Sequence, residues 1–171
     1  MIESTGSERK IIILDTSAFI ARNFNLTDPD TVVPASVLEE IRKGKLKRSL
    51  DYADEMLSVR TPGKSSRESV MDFARKTGDL NVLSDTDIDV IALGLELGGT
   101  VMTDDFAIQN VCRVMGISVI PASNLFISKT IRWTYRCTGC RKYFKSYREK
   151  CDVCGHEVRR ISSSKRRKDK I

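Results

Sequence analysis

Four of the five cysteines fall into two C-x2-C pairs, CTGC at 137–140 and CDVC at 151–154, separated by ten residues. Each pair can wrap one side of a tetrahedral ion, and the intervening residues can form a hairpin that joins the two sides. Two disulfides are the alternative, which a cytosolic chain disfavours. The pattern predicts a structural zinc ion bound by Cys137, Cys140, Cys151 and Cys154, with no coordination position left open for catalysis.

The two parts of the chain carry opposite charge. Residues 1–128 contain 14 Lys/Arg and 19 Asp/Glu, for a net charge of −5, whereas residues 129–171 contain 15 and 4, for a net charge of +11. A basic region that also carries aromatic residues is typical of a surface that neutralises phosphates and stacks bases, although a charged run is often only a solvated face. Seven residues form the predicted RNA-binding set: Arg136, Arg141, Lys142, Tyr143, Lys145, Tyr147 and Arg148. Phe144 and one tyrosine are expected to cover the zinc site instead.

The first part of the chain alternates apolar strand patterns with amphipathic helix patterns. Strands are predicted at 10–14, 31–33, 100–102 and 117–120, and helices at 34–57 with a break at Gly44, near 66–76, at 86–97 and at 105–116. The composition of residues 60–69 predicts a loop. This alternation indicates an α/β sandwich around a mostly parallel sheet, in which ligands bind at the C-terminal ends of the strands.

These patterns divide the chain into four parts. We predict a catalytic domain at 1–124, a linker or docking strand at 125–134, a zinc ribbon at 135–160 and a basic disordered tail at 161–171. The N-terminus lacks the apolar core of a signal peptide, and no apolar run approaches the length of a membrane span. A cytoplasmic protein without a membrane partner is therefore expected.

Five acids are candidates for a catalytic site. Asp15 follows the first strand, and Asp104 and Asp105 follow the strand at 100–102, so the parallel sheet places them at one edge. Asp87 begins the helix that leads into that strand, although Ser84 and Asp87 also match a capping box, which explains Asp87 at least as well. Helix phase places Glu40 at the border of the buried face of its helix and Glu39 in solvent.

The chemistry of these acids favours hard cations. Ser-His-Asp and paired-His mechanisms need a positioned imidazole, and the single histidine, His156, lies in the basic region. Carboxylates gathered without histidine or thiol suit Mg²⁺ or Mn²⁺, and their mutual repulsion is relieved by a cation. A phosphodiester is the expected substrate, cleaved by metal-assisted hydrolysis.

The order of four motifs, IIILDTSAFI, SVLEEI, LSDTDIDVIALGLELGG and VMTDDFAIQN, resembles the PIN-domain nucleases over about residues 9–122. The resemblance implies metal-binding or catalytic acids at Asp15, Glu40, Asp87 and Asp105, with Thr103 in the family's Thr-x-Asp position and Asp104 as a helper or a second metal contact. With a four-cysteine ribbon added, the chain looks like the archaeal Nob (Nin-one-binding) endoribonucleases. That resemblance implies Mn²⁺ or Mg²⁺ as catalytic cofactor and maturation of the 3′ end of small-subunit (16S) rRNA precursor. The implied partners are the pre-small-subunit particle and a KH-domain assembly factor.

Two other functions stay open from the sequence. A toxin-like PIN ribonuclease shares the acids, but small toxins of this fold usually lack a ribbon. A non-catalytic RNA-binding assembly factor with a decayed site is the second, and the four acids in matching positions argue against decay. Spacing selects Asp87 over Asp85 and Asp89, and Thr16 and Ser17 are expected to orient Asp15.

Overall fold

The computed structural model describes residues 10–21, 24, 28, 30–44, 57–123, 131 and 133–162. Two sheets account for the strands in these ranges. In chain order the elements are β1 (Ile12–Leu14), α1 (Thr16–Ala21), β2 (Thr31–Pro34), α2 (Ala35–Lys43), β3 (Ser58–Arg60), α3 (Lys64–Thr77), α4 (Asp85–Leu97), β4 (Thr100–Met102), α5 (Phe106–Met115), β5 (Ser118–Ile120), β6 (Trp133–Cys137), β7 (Tyr143–Phe144) and β8 (Val158–Ser162).

The larger sheet has the strand order β3-β2-β1-β4-β5. The pairings of β1 with β2 and β4, of β2 with β3 and of β4 with β5 are all parallel. From β1 the chain moves to β2 and β3 on one side and later returns to β4 and β5 on the other. The crevice of such a sheet lies where these directions diverge, at the C-terminal ends of β1 and β4. The predicted α/β class with a mostly parallel sheet is confirmed.

Burial of both faces of the central strands and close helix packing hold this sheet in the core. Ile13, Val33 and Val101 are fully buried on neighbouring strands. Helix α4 is buried along most of its length, and a Cβ on its Gly94 would lie 2.8 Å from the Val101 side chain. Only glycine lets the helix approach the sheet this closely. Asp87, at the start of α4, is thereby fixed relative to β4.

Several boundaries differ from the sequence predictions. Helix α2 ends at Gly44, the predicted break, whereas residues 45–56 lie outside the described ranges. Helix α3 begins at Lys64, inside the predicted loop at 60–69. The short elements α1 and β3 were not predicted, because a three-residue edge strand and a six-residue helix are too short to establish a periodicity.

The second sheet has the order β7-β6-β8, and both of its pairings are antiparallel. Strand β6 begins at Trp133, two residues before the predicted start of the ribbon, and β8 runs to Ser162, inside the predicted tail. The ribbon therefore extends beyond 135–160, since the pairing of Trp133 with Ser162 closes its sheet. The predicted linker residues 125–130 and 132 and tail residues 163–171 lie outside the described ranges.

A buried ion pair docks the ribbon onto the first domain. Asp79 is 0% exposed, and its carboxylate accepts hydrogen bonds from Arg160 Nη1 at 3.1 Å and from Asn110 Nδ2 at 2.6 Å. Asn110 also exchanges hydrogen bonds with the backbone of Ile131, the described residue that precedes β6. Burial raises the pKa of Asp79, whereas Asn110 and Arg160 oppose this rise. An unpaired carboxylate here would be costly, so the contact fixes the ribbon in place.

Gly78 completes this docking contact. It ends α3 in the left-handed conformation, with φ +81°, and a Cβ there would lie 3.1 Å from the Trp133 side chain. Its carbonyl accepts a hydrogen bond from the Tyr135 hydroxyl at 3.3 Å, and the Arg160 guanidinium lies 4.0 Å from the centre of the Trp133 ring. A residue without a side chain is thus required at the turn by both backbone conformation and contact.

Within the described ranges, no helix is long and apolar enough to cross a membrane.

Candidate active site and metal centre

Asp15 lies at the C-terminal end of β1 and is only 6% exposed. Its Oδ1 accepts a hydrogen bond from the Thr16 amide at 2.7 Å, and its Oδ2 accepts from Ser17 Oγ at 2.8 Å and Thr103 Oγ1 at 2.7 Å. Three hydrogen bonds to one carboxylate fix its orientation. The acid that ends the core strand is therefore held in one position.

The two hydroxyls that bind Asp15 also connect it to the end of β4. Ser17 Oγ accepts a hydrogen bond from the Asp104 amide, and Thr103 Oγ1 accepts one from the Asp105 amide, each at 3.0 Å. Because each hydroxyl donates to Asp15 while it accepts from the backbone, its proton position is fixed. The expectation that Thr16 and Ser17 orient Asp15 agrees with these contacts. The bridging role of Thr103 was missed, and its only sequence signal is the Thr-x-Asp spacing.

Asp105 is the N-cap of α5. Its Oδ1 accepts hydrogen bonds from the amides of Ala107 at 2.6 Å and Ile108 at 3.3 Å. Capping satisfies amides that the first helical turn leaves without partners. The cap fixes the orientation of the carboxylate and leaves its other oxygen available for a ligand.

Asp87 forms the capping box with Ser84 that the sequence indicated. Asp87 Oδ2 accepts from the Ser84 amide at 2.7 Å, and Ser84 Oγ accepts from the Asp87 amide at 3.1 Å. Burial raises the pKa of Asp87, the bonds to Ser84 oppose this, and the charges of Asp105 and Asp15 raise it further. The three carboxylates are thus close enough to repel one another. Capping and a place in the acid cluster are compatible, since the cap occupies one oxygen.

The neighbouring acids of α4 have a different role. Arg67 of α3 binds Asp85 Oδ1 through Nη2 at 2.9 Å and Asp89 through Nη1. Ser36 Oγ also donates to Asp89 Oδ2 at 2.7 Å. Asp85 and Asp89 therefore connect three helices, which agrees with the selection of Asp87 from the spacing.

Helix α2 presents Glu40 towards the Asp15 side of the site. Glu40 Oε2 accepts a hydrogen bond from Thr16 Oγ1 at 3.1 Å, whereas Glu39 pairs with Lys43 at 3.3 Å in solvent. The two glutamates therefore point where helix phase predicted. Glu40 itself is exposed, so it borders the cluster without being buried in it.

Asp104 has a backbone partner of its own. Its Oδ1 accepts a hydrogen bond from the Ser123 amide at 2.9 Å, which fixes the chain after β5. The structure thus joins Asp15, Asp87 and Asp105 electrostatically, places Glu40 at the border and gives Asp104 a backbone partner.

The oxygen donors of these acids fit Mg²⁺ or Mn²⁺, which prefer carboxylates and water. Among the described residues, the four cysteines form the set of three or more ligands whose atoms all lie within 4.8 Å of one another.

The cysteine cluster has the dimensions of a tetrahedral metal site. The Sγ atoms of Cys137 and Cys154 are 3.3 Å apart, and those of Cys140 and Cys151 are 3.6 Å apart. These separations are too long for disulfides and near the ~3.8 Å edge expected for tetrahedral zinc thiolate. The amides of Gly139 and Val153 donate to Cys137 and Cys151. The cluster can hold zinc with every position occupied by sulfur.

Buried aromatic residues surround the cysteines as predicted. Phe144 and Tyr135 form a small core with Val158, Cys137 and Cys151. They therefore belong to the interior of the ribbon and not to its surface.

The predicted RNA-binding residues differ in their solvent exposure and in the contacts that they make within the protein. Lys142 and Arg148 both bind Asp152, at 3.0 and 3.2 Å, and lie over the Phe144 ring. Arg141 and Lys145 are exposed, and the Tyr147 side chain is 53% exposed. Arg136 and Tyr143 are half-buried on β6 and β7. The exposed members on the 141–147 segment are the best placed for contact with a ligand.

The sequence is similar to ribonucleases over most of its length. The family described as "PIN domain of ribonuclease" matches residues 12–97. "Ribonuclease VapC1" of Thermoplasma acidophilum is 46% identical over 150 residues, which cover 88% of this chain and 77% of that protein. "Endoribonuclease Nob1" of Archaeoglobus fulgidus is 36% identical over 167 residues, covering 92% and 96%, and the protein of that name from Methanothermobacter thermautotrophicus is 35% identical over 154 residues, covering 85% and 90%.

The match to the VapC1 protein extends into the ribbon. A match to 150 of the 171 residues includes at least residues 22–150, and therefore the first cysteine pair. The similarity to the VapC1 protein is therefore not confined to the first domain.

Proposed function

The chain belongs to the PIN-domain ribonucleases and is an endoribonuclease, and from this premise we propose that it matures the 3′ end of small-subunit rRNA precursor by metal-dependent hydrolysis. The observation that carries the mechanism is the meeting of Asp15, Asp87 and Asp105 at the C-terminal ends of β1 and β4. The substrate assignment is supported by the 36% identical relative that bears the name Endoribonuclease Nob1.

Asp15, Asp87 and Asp105 are proposed to hold Mn²⁺ or Mg²⁺, with Glu40 at the border of the site. Bound divalent cations supply hydroxide from water and stabilise charge on the phosphate and the leaving oxygen. Ser17 and Thr103 hold Asp15 in position, and the caps at Ser84 and at the start of α5 hold the other two acids. Glu40, exposed and held by one hydroxyl, is free to accept a hydrogen bond from a water molecule. Asp104 is proposed to act through the backbone, since its carboxylate binds Ser123.

The ribbon is proposed to hold the RNA while the first domain cuts it. Zinc is the proposed ion of the four cysteines, because the sulfur separations match a closed tetrahedral site. Zinc and four thiolates contribute −2, so the basic region keeps a strong positive charge for phosphates. We place the reaction in the cytoplasm, on the pre-small-subunit particle, with a KH-domain assembly factor as partner.

The histidine position supports attack by water. His156 Nδ1 lies 3.0 Å from the carbonyl of Cys154, within the ribbon, so no imidazole accompanies the acids. Without a base and acid pair to activate the RNA 2′-hydroxyl, water is the proposed nucleophile. The products are then a 3′-hydroxyl and a 5′-phosphate.

The test uses a fragment that spans the 3′ end of the pre-rRNA, with and without Mn²⁺. We expect one cut at the mature end in Mn²⁺, and comparable cleavage of a fragment with a single 2′-deoxynucleotide at the scissile position. A 2′,3′-cyclic phosphate on the product, with complete resistance of the deoxy fragment while it still binds, would overturn the water mechanism. No cut with any divalent cation would favour the non-catalytic assembly factor.

A toxin-like ribonuclease is the second candidate, because the VapC1 relative is 46% identical. It predicts that unrelated single-stranded RNA of the same length is cut as fast as the pre-rRNA fragment. Maturation predicts a marked preference for the fragment, so the ratio of the two rates decides between the candidates.

A further inference from the structure

A cavity of about 280 Å³ lies where the ribbon meets the first domain. The lining residues of the first domain are Arg75, Gly78, Leu80 and Asn81, and those of the ribbon are Tyr135, Lys145, Ser146 and Tyr147. Sites for small organic ligands begin at roughly 300 Å³. At about 280 Å³ the cavity lies just below that range, which fits a single unstacked base but not a duplex.

Two tyrosine rings line the cavity, one of them exposed to solvent and the other held in place by hydrogen bonds. Tyr147 is 53% exposed and contacts Tyr135 edge to face, with ring centres 5.8 Å apart. Tyr135 is itself buried, and its hydroxyl binds the carbonyl of Gly78 and the side-chain amide of Asn81. An exposed ring on a rigid support is a stacking platform for a base released from its neighbours.

Polar and cationic groups surround this platform. Lys145 is exposed and, within the described ranges, has no acidic partner. Arg75 pairs with Asp72 at 2.5 Å, but both side chains are more than half exposed, so this pair competes weakly with a phosphate. Asn81 donates to the Tyr135 hydroxyl through Nδ2, so its carbonyl oxygen can accept from a base. Among the residues that the structure describes, no carboxylate lines the cavity.

The cavity is connected by a short segment to the acid cluster. Asn81 precedes Asp87 by six residues, so the two lie at most about 20 Å apart. At ~3.4 Å per stacked nucleotide, that span corresponds to about six nucleotides. A strand with its scissile phosphate at the acids can therefore reach the cavity.

We propose that this cavity binds one unstacked base of the RNA substrate, within about six nucleotides of the scissile phosphate, with the base on Tyr147 and its phosphate on Lys145. This subsite rests on the proposed ribonuclease function and deepens it. It would give the enzyme a fixed register on the RNA, because a seated base sets which phosphate reaches the acids.

The experiment uses the full chain with Asp15→Asn, so that RNA is bound and not cut, and the pre-rRNA 3′ fragment with 2-aminopurine at successive positions. We expect quenching of fluorescence at one position within about six nucleotides of the cleavage site. Tyr147→Ala should abolish this quenching and weaken binding about tenfold or more, whereas Tyr147→Phe should keep both. Val153→Ala, at an exposed ribbon residue outside the cavity, is the matched control and should change neither.

A second variant tests the phosphate contact. Lys145→Ala should lower the slope of log affinity against log salt by about one and shift or lose the quenched position. Lys150→Ala is the charge-matched control in the ribbon and should leave the quenched position unchanged. The zinc content of each variant shows that its ribbon is folded. If Tyr147→Ala does not fold, the result for Lys145→Ala decides whether the cavity binds a base.

Two results would overturn the subsite. If the parent binds RNA but Tyr147→Ala or Lys145→Ala leaves quenching and affinity unchanged, the cavity is not a base site, while the proposed ribonuclease function stands. If the parent does not bind the fragment at all, both the proposed function and the subsite fail.

Discussion

Thr103→Val should damage the active site, whereas the same substitution at Thr100 should not. Both residues are buried at β4, with Thr103 0% and Thr100 2% exposed. Thr103 Oγ1 donates to Asp15 and accepts from the Asp105 amide. Thr100 Oγ1 is buried without a hydrogen-bond partner among the described residues. The pair thus compares two hydrogen bonds with none at nearly constant shape.

The magnitudes follow from these contacts. Thr103→Val removes one bond to a charged acceptor and one to a backbone amide, and leaves that part-buried amide without its partner. We expect the free energy of unfolding to fall by about 2–3 kcal/mol, since such bonds contribute roughly 1–3 kcal/mol each and partly relax. For a chain of this length that corresponds to a midpoint lower by roughly 5–10 °C. Thr100→Val removes an unsatisfied hydroxyl and should be neutral or stabilise the protein by up to ~1 kcal/mol.

The effect on cleavage has the same origin. Asp15 keeps two of its three donors in Thr103→Val, but its Oδ2 and the start of α5 lose their common anchor. Loss of such a supporting bond costs about 10–100-fold in metal affinity or activity. Urea unfolding measures the stability, and single-turnover cleavage at several Mn²⁺ concentrations measures the chemistry. The reasoning is refuted if both variants change stability equally, or if Thr103→Val cleaves like the parent at limiting Mn²⁺.

Three further outcomes are expected. Asp15→Asn should abolish cleavage while RNA affinity stays within about twofold, as measured by fluorescence anisotropy, and wild-type turnover would remove Asp15 from the mechanism. Arg160→Ala should lower the free energy of unfolding by roughly 2–4 kcal/mol because it leaves the buried Asp79 without its cation. The control is Arg159→Ala, whose side chain pairs with Glu157 in solvent, and it should change the free energy of unfolding by less than ~0.5 kcal/mol. Equal urea midpoints for the two variants would contradict the docking role of Arg160. A chelator that removes the cysteine-bound metal should unfold the ribbon, weaken RNA binding and flatten the salt dependence of binding. Fluorescence of the single tryptophan would report the unfolding, and RNA titrations at several salt concentrations would report the affinity. An unchanged affinity would mean that the ribbon does not hold RNA.

The sheet was predictable because its central strands have a strong pattern. Strands β1, β2, β4 and β5 lie where short apolar runs end at Asp, Pro or Thr, and Gly44 and Gly98 end helices as the sequence indicated. The edge strand β3 is exposed at Val59 and Arg60 and has no apolar run, so nothing local marks it. Its pairing with β2 supplies the hydrogen bonds that define it.

The acids were predictable and the groups that position them were only partly so. Strand ends gave Asp15 and Asp105, because parallel neighbours share an edge. The bond between Thr103 and Asp15 depends on the register that pairs Leu14 with Met102, which joins residues 88 positions apart. Likewise, Asp79 and Arg160 are 81 positions apart and belong to no motif. Contacts of this kind follow from tertiary packing and not from spacing.

The acids also differ in how firmly the fold holds them, and the loosely held acid lies on one side of the cluster. Asp15 is buried under three hydrogen bonds, and Asp87 and Asp105 each fix one oxygen at a helix cap. Glu40 is exposed on α2 and held by one hydroxyl at 3.1 Å. The side of the cluster formed by the sheet, α4 and α5 is therefore preorganised, whereas the α2 side can adjust. Because preorganised carboxylates need little reorganisation when charge arrives, the three fixed acids suit the proposed cation. The adjustable Glu40 suits the proposed attacking water, whose position changes as the phosphodiester bond breaks.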